Sequence, residues 1–150
     1  MAPRSPPPPT DILISIHPQH VAHIVARTKN HEFRKYLIPT TVTRMWIYET
    51  APTSAVQYCV VIPPGKPPGA LAEDDLEGLK NRQFNDGDTL KPGGSGSRYA
   101  YKILELYRLE TTFTLAGLKA KGWLKGPPQK YNFVPPEMLA ELAPGLVRIF

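Results

Sequence analysis

"DILISIHPQHVAHIVARTKNHEFRKY", residues 11–36, decides the fold, because the spacing of its apolar residues changes twice. Residues 11–17 place isoleucine at every second position, which predicts a strand. From Pro18 onward the apolar residues recur at the spacing of one helical face, and proline suits the first turn of a helix. Residues 31–38 alternate again. The stretch therefore predicts a strand, a helix and a second strand, in that order.

The remainder of the chain predicts further strands and two short, late helices. Apolar and aromatic residues indicate strands at 44–50, 55–62, 98–110 and 146–150. One helix is expected at 114–122, with Thr114 as N-cap and Gly122 as C-cap, and another at 135–143, where proline begins the first turn. Strands without regular β–α alternation predict an α+β fold, a small barrel of about five to six strands with short helices attached.

Composition changes sharply in residues 63–97, which are rich in proline, glycine and acidic residues. We interpret this stretch as a partly mobile insert within one domain of residues 11–150, not as a second domain. It is expected to hold one short helix, with Leu71, Leu76 and Leu79 on a common face.

Residues 1–10 contain four consecutive prolines and predict a disordered, proline-rich tail. Such a tail is a candidate polyproline II ligand for a protein partner with an SH3 or WW domain. The tail lacks the apolar core of a signal peptide, and no apolar run nears the roughly 20 residues that cross a bilayer. The one cysteine, Cys59, excludes an intramolecular disulfide. We therefore expect a cytoplasmic or nuclear protein with no membrane partner.

The net charge of +5 is unevenly distributed along the chain. Residues 1–70 carry seven Lys and Arg against three Asp and Glu, and residues 98–150 carry eight against four. Residues 71–90 carry two against six. A basic body around an acidic insert is compatible with a polyanionic partner such as nucleic acid, and also with charge that only maintains solubility.

Charged residues in and before the second predicted strand raise the functional question. Lys29, Glu32 and Arg34 fall within six positions. They form either a solvated ion-pair network, worth about 0–1 kcal/mol, or the lining of a groove that holds a ligand. In a groove, Arg34 can stack on a base or grip a phosphate, and Lys29 can pair with a phosphate. Glu32 can accept a hydrogen bond from a base amino group or hold Arg34 in place.

Aromatic and basic residues elsewhere add candidates for nucleic-acid binding. Trp46 and Tyr48 share one face of a predicted strand, where exposed rings would stack on bases; core packing is the alternative. Lys130 belongs to a loose basic stretch around Trp123, which suits either a phosphate backbone or a solvated helix end.

Three histidines recur at every third position: His17, His20 and His23. No cysteine or carboxylate completes a zinc set with them, and His17 precedes the predicted helix. We therefore predict no metal and no cofactor. His17 is instead a candidate groove residue, because it immediately precedes Pro18.

Four segments together resemble the ASCH domain of the PUA-like superfamily: "ILISIHPQHVAHIVARTKNHEFRKY", "RMWIYETAPTSAV", "YAYKILEL" and "PPQKYNF". The family pattern is an apolar strand ending in a basic residue and proline, an amphipathic helix, and Lys-x-x-Glu-x-Arg on the next strand. The resemblance spans roughly residues 11–134. It implies a PUA-like pseudo-β-barrel with a cleft beside the first helix that binds RNA or a modified nucleoside.

The resemblance places Lys29, Glu32 and Arg34 on the family's Lys, Glu and Arg positions. One departure is Arg27, where the family usually has glycine, so a different turn or ligand approach is expected there.

The resemblance also leaves two alternatives to binding open. Some proteins of similar fold are hydrolases that act on RNA or on an acylated nucleoside, but Glu32 stands where the amidohydrolase pattern has threonine. In a hydrolase, Glu32 would serve as base and Lys29 as electrostatic stabiliser. The other alternative is a coactivator-type protein-interaction module that uses the proline-rich tail and the acidic insert.

Overall fold

A computed structural model describes residues 8–75 and 79–150 of the chain. The strands in these residues are β1 Asp11–Ile16, β2 His31–Arg34, β3 Arg44–Glu49, β4 Ala55–Val61, β5 Tyr99–Lys102, β6 Glu105–Thr114, β7 Asn132–Phe133 and β8 Leu146–Arg148. The α-helices are α1 Pro18–Val25, α2 Leu79–Asn85, α3 Leu115–Ala120 and α4 Pro136–Leu142. Short 3₁₀ turns lie at Glu73–Asp75, Asp88–Leu90 and Ala143–Gly145. The α+β class is confirmed, and closure into a barrel stays a prediction.

Two sheets organise these strands. The larger has the order β7-β1-β3-β4-β6-β8, and β2 pairs with β5 in a separate sheet. β1 and β3 run parallel, which requires a crossover connection between them. That connection contains α1 and β2, so β2 leaves the main sheet and pairs with β5 instead. The charged residues of β2 therefore belong to the second sheet and not to the main one.

β1 separates two hydrophobic cores, because alternate side chains of a strand point to opposite faces. Its three isoleucines pack with Val21 and Ile24 of α1 in the first core. Leu13 packs with Leu118 of α3 and Met138 of α4 in the second. Both faces of the large sheet are therefore covered along β1.

Several predicted elements are confirmed and others are corrected. Thr114 caps α3 by accepting a hydrogen bond from Gly117 N at 3.1 Å, and Gly122 follows the helix with φ 72°. The predicted strand 98–110 is wrong as one element, because it divides into β5 and β6, which belong to different sheets. The strand predicted at 31–38 ends at Arg34.

The insert contains α2, one of whose residues, Phe84, packs with Leu71 and Ala100 in a third, small core. Leu76 and the side chain of Leu79, predicted to share a helical face with Leu71, lie outside the described residues, as do residues 1–7 of the predicted tail. No helix in the described part of the chain is long and apolar enough to cross a membrane.

Candidate functional site

The turn after α1 determines where β2 begins. Arg27 N donates to Ile24 O at 3.0 Å and Thr28 N donates to His23 O at 2.9 Å. These two bonds form a Schellman helix end, which places the residue after the cap in the left-handed region. Arg27 occupies that position with φ 62°. Arginine at this position therefore adopts the positive φ that glycine adopts more readily, and the helix ends in a standard turn.

Lys29, Glu32 and Arg34 form one interacting cluster. Lys29 Nζ lies 3.6 Å from Glu32 Oε2, and Arg34 Nη2 lies 3.1 Å from Glu32 Oε1. Arg34 Nη2 also donates to Ser15 O of β1 at 2.8 Å. The side chain of Glu32 is only 9% exposed, and those of Lys29 and Arg34 are 11% and 20% exposed. The interpretation as a solvated network is therefore wrong, and the cluster is largely enclosed.

The cluster lines two adjoining cavities, which we call together the cleft. The larger, about 400 Å³, is lined by His20, Lys29, Glu32, Phe33, Lys80, Gln83, Asp88, Thr89, Gly94, Ser95 and Ser97. The smaller, about 320 Å³, is lined by Ser15, Ile16, His17, His20, Glu32, Phe33, Arg34 and Thr50. His20, Glu32 and Phe33 belong to both. Lys29 and Arg34 thus lie on the two sides of a central carboxylate.

The insert supplies one wall of the larger cavity. The wall is held by a hydrogen bond from Thr89 Oγ1 to Ser97 O at 2.6 Å and by another from Gly96 N to Thr89 O at 2.7 Å. Ser97 is 7% exposed. The insert therefore covers part of the cleft, and the predicted mobility of its glycine-rich end stays a prediction.

The cleft is concave but close to charge balance. Among the described residues, the cations Lys29, Lys80 and Arg34 line it together with the carboxylates of Glu32 and Asp88, so the described lining is only slightly positive. Such a lining favours a ligand with both polar and charged groups over a simple polyanion.

Burial and neighbouring charges shift two pKa values in the larger cavity. Burial lowers the pKa of the Lys29 ammonium, the Lys80 and Arg34 cations lower it further, and the Glu32 carboxylate opposes this change. Burial and the charges of Lys29 and Lys80 also lower the pKa of His20. The neutral form of His20 is therefore favoured, and this form offers an uncharged ring to a ligand.

The structure brings His17 to the cleft but places Lys130 elsewhere. His17 Nδ1 lies 3.1 Å from Thr50 Oγ1 in the smaller cavity. Lys130 Nζ lies 4.8 Å from the centre of the Tyr36 ring and lines a separate cavity near Trp123. Lys130 is therefore not part of the lining of the cleft.

Trp46 and Tyr48 are corrected, because both are buried in the second core. Their residues are 0% and 1% exposed. Trp46 Nε1 donates to Asp11 Oδ2 at 2.7 Å, and Arg44 Nε pairs with the same oxygen at 2.7 Å. Neither ring is accessible for stacking on a base.

Several lining residues were missed by sequence reasoning, chiefly Phe33 and the insert residues Lys80, Gln83 and Ser95. Strand alternation gave no usable signal for Phe33, because it places the side chain on the face opposite Glu32 and Arg34. The insert residues had none, since tertiary packing alone brings them to β2. The described residues contain no cluster of three His, Cys, Asp or Glu arranged to hold a metal.

The fold is similar to that of an ASCH protein from Zymomonas mobilis. A serine-to-alanine variant of that protein gives a TM-score of 0.63 at 20% identity, over 92% of this chain and 97% of that one. A second crystal structure of it gives 0.59 at 18% identity, over 89% and 96%. A tyrosine-to-phenylalanine variant gives 0.59 at 20% identity, over 89% and 99%.

The chain therefore has the fold of an ASCH domain, which agrees with the resemblance seen in its sequence. No protein-family model and no curated protein matches the chain.

Proposed function

We propose that the cleft binds RNA by enclosing one nucleotide, standard or modified. The observation that carries the proposal is the position of Glu32, a nearly buried carboxylate common to both cavities, with Lys29 on one side and Arg34 on the other. Volumes of about 400 and 320 Å³ lie within the range of small-molecule sites. A nucleotide supplies groups that match each part of this lining.

Glu32 suits the exocyclic amino group of a base. Its Oε2 atom is buried and has no hydrogen-bond partner within the described residues. A carboxylate accepts from N4 of cytosine, which makes cytidine a rational first ligand. Phe33 and the neutral His20 offer rings for stacking, and Lys29 and Arg34 offer charge to phosphate oxygens.

Binding of short RNA oligonucleotides and of nucleosides at low salt tests the proposal. We expect Arg34→Ala and Lys29→Ala to abolish or strongly weaken binding, and affinity to fall as salt rises. Arg108→Ala is the matched control, because Arg108 is exposed and lines neither cavity of the cleft. The proposal would be contradicted if the wild type bound none of these ligands measurably at low salt.

A second candidate, hydrolysis of RNA or of an acylated nucleoside, draws support from Lys29 and Glu32. A buried lysine with a lowered pKa beside a buried carboxylate is a combination that active sites use. Incubation with RNA and with acylated cytidine, comparing wild type and Glu32→Gln, tests it. Product formed by the wild type and lost in Glu32→Gln supports catalysis, whereas no turnover by either leaves binding alone.

The protein-interaction alternative depends on the proline-rich tail, most of which lies outside the described residues. It stays a prediction, for which a pull-down with and without residues 1–10 is the direct test.

A further inference from the structure

A third cavity lies beside the cleft and shares Lys29 with its larger part. It measures about 400 Å³ and is lined by Arg27, Lys29, Asn30, Asp74, Lys102, Ile103, Leu104 and Phe150. We call it the Arg27 cavity. Since Lys29 belongs to the lining of both spaces, the Arg27 cavity adjoins the cleft.

Cationic side chains line the Arg27 cavity. Arg27, Lys29 and Lys102 belong to its lining, together with the carboxylate of Asp74 among the described residues. An anionic group attached to a nucleotide in the neighbouring cleft would be stabilised by Arg27 and Lys29.

Arg27 stacks on an aromatic ring in the wall of this cavity. Its backbone has φ 62°, a conformation that costs an L-residue roughly 1–2 kcal/mol and costs glycine little. Its guanidinium carbon lies 4.4 Å from the centre of the Phe150 ring. Stacking of this kind orients the plane of a guanidinium and leaves its N–H groups at the edge, where they can donate to oxygen atoms.

We propose that the Arg27 cavity is a phosphate site, which receives a phosphate of the RNA strand whose nucleotide occupies the cleft. This inference rests on the proposed function. Phosphate oxygens match the donors of Arg27 and Lys29, and an extended strand explains why the two spaces share a cationic wall.

Arg27→Gly tests the phosphate site without confusing binding with folding. Glycine removes the guanidinium and relieves the positive-φ strain, so weaker binding at an equal or higher Tm is not a folding defect. Three probes are compared by titration: cytidine, cytidine 5′-monophosphate and a short oligocytidylate. Arg108→Gln is the control for loss of one arginine charge at an exposed position outside the cavity.

We expect Arg27→Gly to weaken oligocytidylate binding about three- to tenfold. The slope of log affinity against log salt concentration should become shallower by about 0.7, as for one lost phosphate contact. Cytidine binding stays unchanged. If the monophosphate is weakened as well, the phosphate is the one on the bound nucleotide; if only the oligonucleotide is weakened, it belongs to a neighbour in the strand. Both results support the site.

Two results overturn the site while leaving the proposed function standing. One is an oligocytidylate affinity and salt slope equal to those of the wild type. The other is an equal loss for cytidine and oligocytidylate, which would assign Arg27 to the cleft. Failure of the wild type to bind any probe refutes the proposed function instead.

Discussion

Glu32 Oε1 lies 3.1 Å from Arg34 Nη2, whereas the buried Oε2 atom of the same carboxylate has no hydrogen-bond partner within the described residues. This asymmetry makes Arg34 the main direct partner of an enclosed negative charge. Removal of one member of a buried ion pair is more damaging than removal of both, because the remaining charge loses compensation; here Lys29 Nζ, 3.6 Å from Oε2, compensates Glu32 only in part.

We therefore expect Arg34→Ala to lower the free energy of unfolding by about 3 kcal/mol, and Glu32→Gln in the same chain to restore part of the loss. Urea denaturation of both single variants and the double variant measures the coupling. Lys121→Ala is the control, because its pair with Glu141 at 2.7 Å is about half exposed and contributes little. Additive losses in the double variant would refute the coupling.

The lowered pKa of Lys29 predicts a pH dependence of binding. Between the lowered value and the ordinary value of 10.5, the unfolded chain holds more protons on this group than the folded chain, so folding stability rises with pH in that window. Affinity for an oligonucleotide moves the opposite way, because neutral lysine has no charge to offer a phosphate.

Oligonucleotide titrations at increasing pH measure this effect. We expect wild-type affinity to begin falling at a pH below 10.5 and Lys29→Arg to keep its affinity over the same range, since arginine stays charged. A parallel decline in both proteins would show that another group is responsible.

The backbone conformation of Arg27 predicts that glycine at this position gives a more stable protein than alanine, the reverse of the order in a helix. Arg27→Gly should be more stable than Arg27→Ala by about 1 kcal/mol, because alanine keeps the strain of φ 62° and glycine does not. Thermal denaturation of the two variants gives the difference.

Lys119 in α3 supplies the matched comparison. At this helical position we expect Lys119→Ala to be more stable than Lys119→Gly by about 1 kcal/mol. Arg27→Ala at least as stable as Arg27→Gly would contradict the left-handed assignment.

Substitution of Asp11, far from the cleft, is expected to lower the stability of the protein strongly. Asp11 is 1% exposed and accepts from both Trp46 Nε1 and Arg44 Nε at 2.7 Å. We expect Asp11→Asn to lower the free energy of unfolding by about 1–3 kcal/mol, because the amide cannot accept both donors with the strength of a carboxylate.

Chemical denaturation measures that loss against Asp88→Asn. Asp88 pairs with Lys91 at 2.6 Å, but its side chain is 41% exposed, so its substitution should cost less than about 1 kcal/mol. Equal losses at the two positions would show that burial of Asp11 is not the cause.

Local sequence signals predicted the elements that depend on near neighbours. The period of residues 11–36 gave the order of β1, α1 and β2, and Thr114 marked the start of α3. The charged cluster was predicted because Lys29, Glu32 and Arg34 are close in sequence. These features are set by spacing and capping, which act over a few residues.

Features that depend on distant contacts were not predictable in the same way. The alternation in β3 was compatible with exposure of the strand face that carries Trp46 and Tyr48. However, β3 lies between β1 and β4 in the sheet, and a hydrophobic core packs on each side of it. Alternation reports a strand and does not report what covers each face. The insert likewise reaches the cleft through the packing of Phe84 and Leu71, which no local pattern encodes.

The charged residues proposed to bind the ligand and the residues that enclose the cavity come from separate parts of the chain. The charged cluster belongs to the short strand after α1, whereas Gly94, Ser95 and Ser97 enclose the larger cavity from a loop more than fifty positions later. The length and sequence of that loop can therefore change during evolution and alter which molecules enter the cavity, while the charged residues of the strand stay the same. The same separation offers protein engineers a place to retune selectivity by loop exchange.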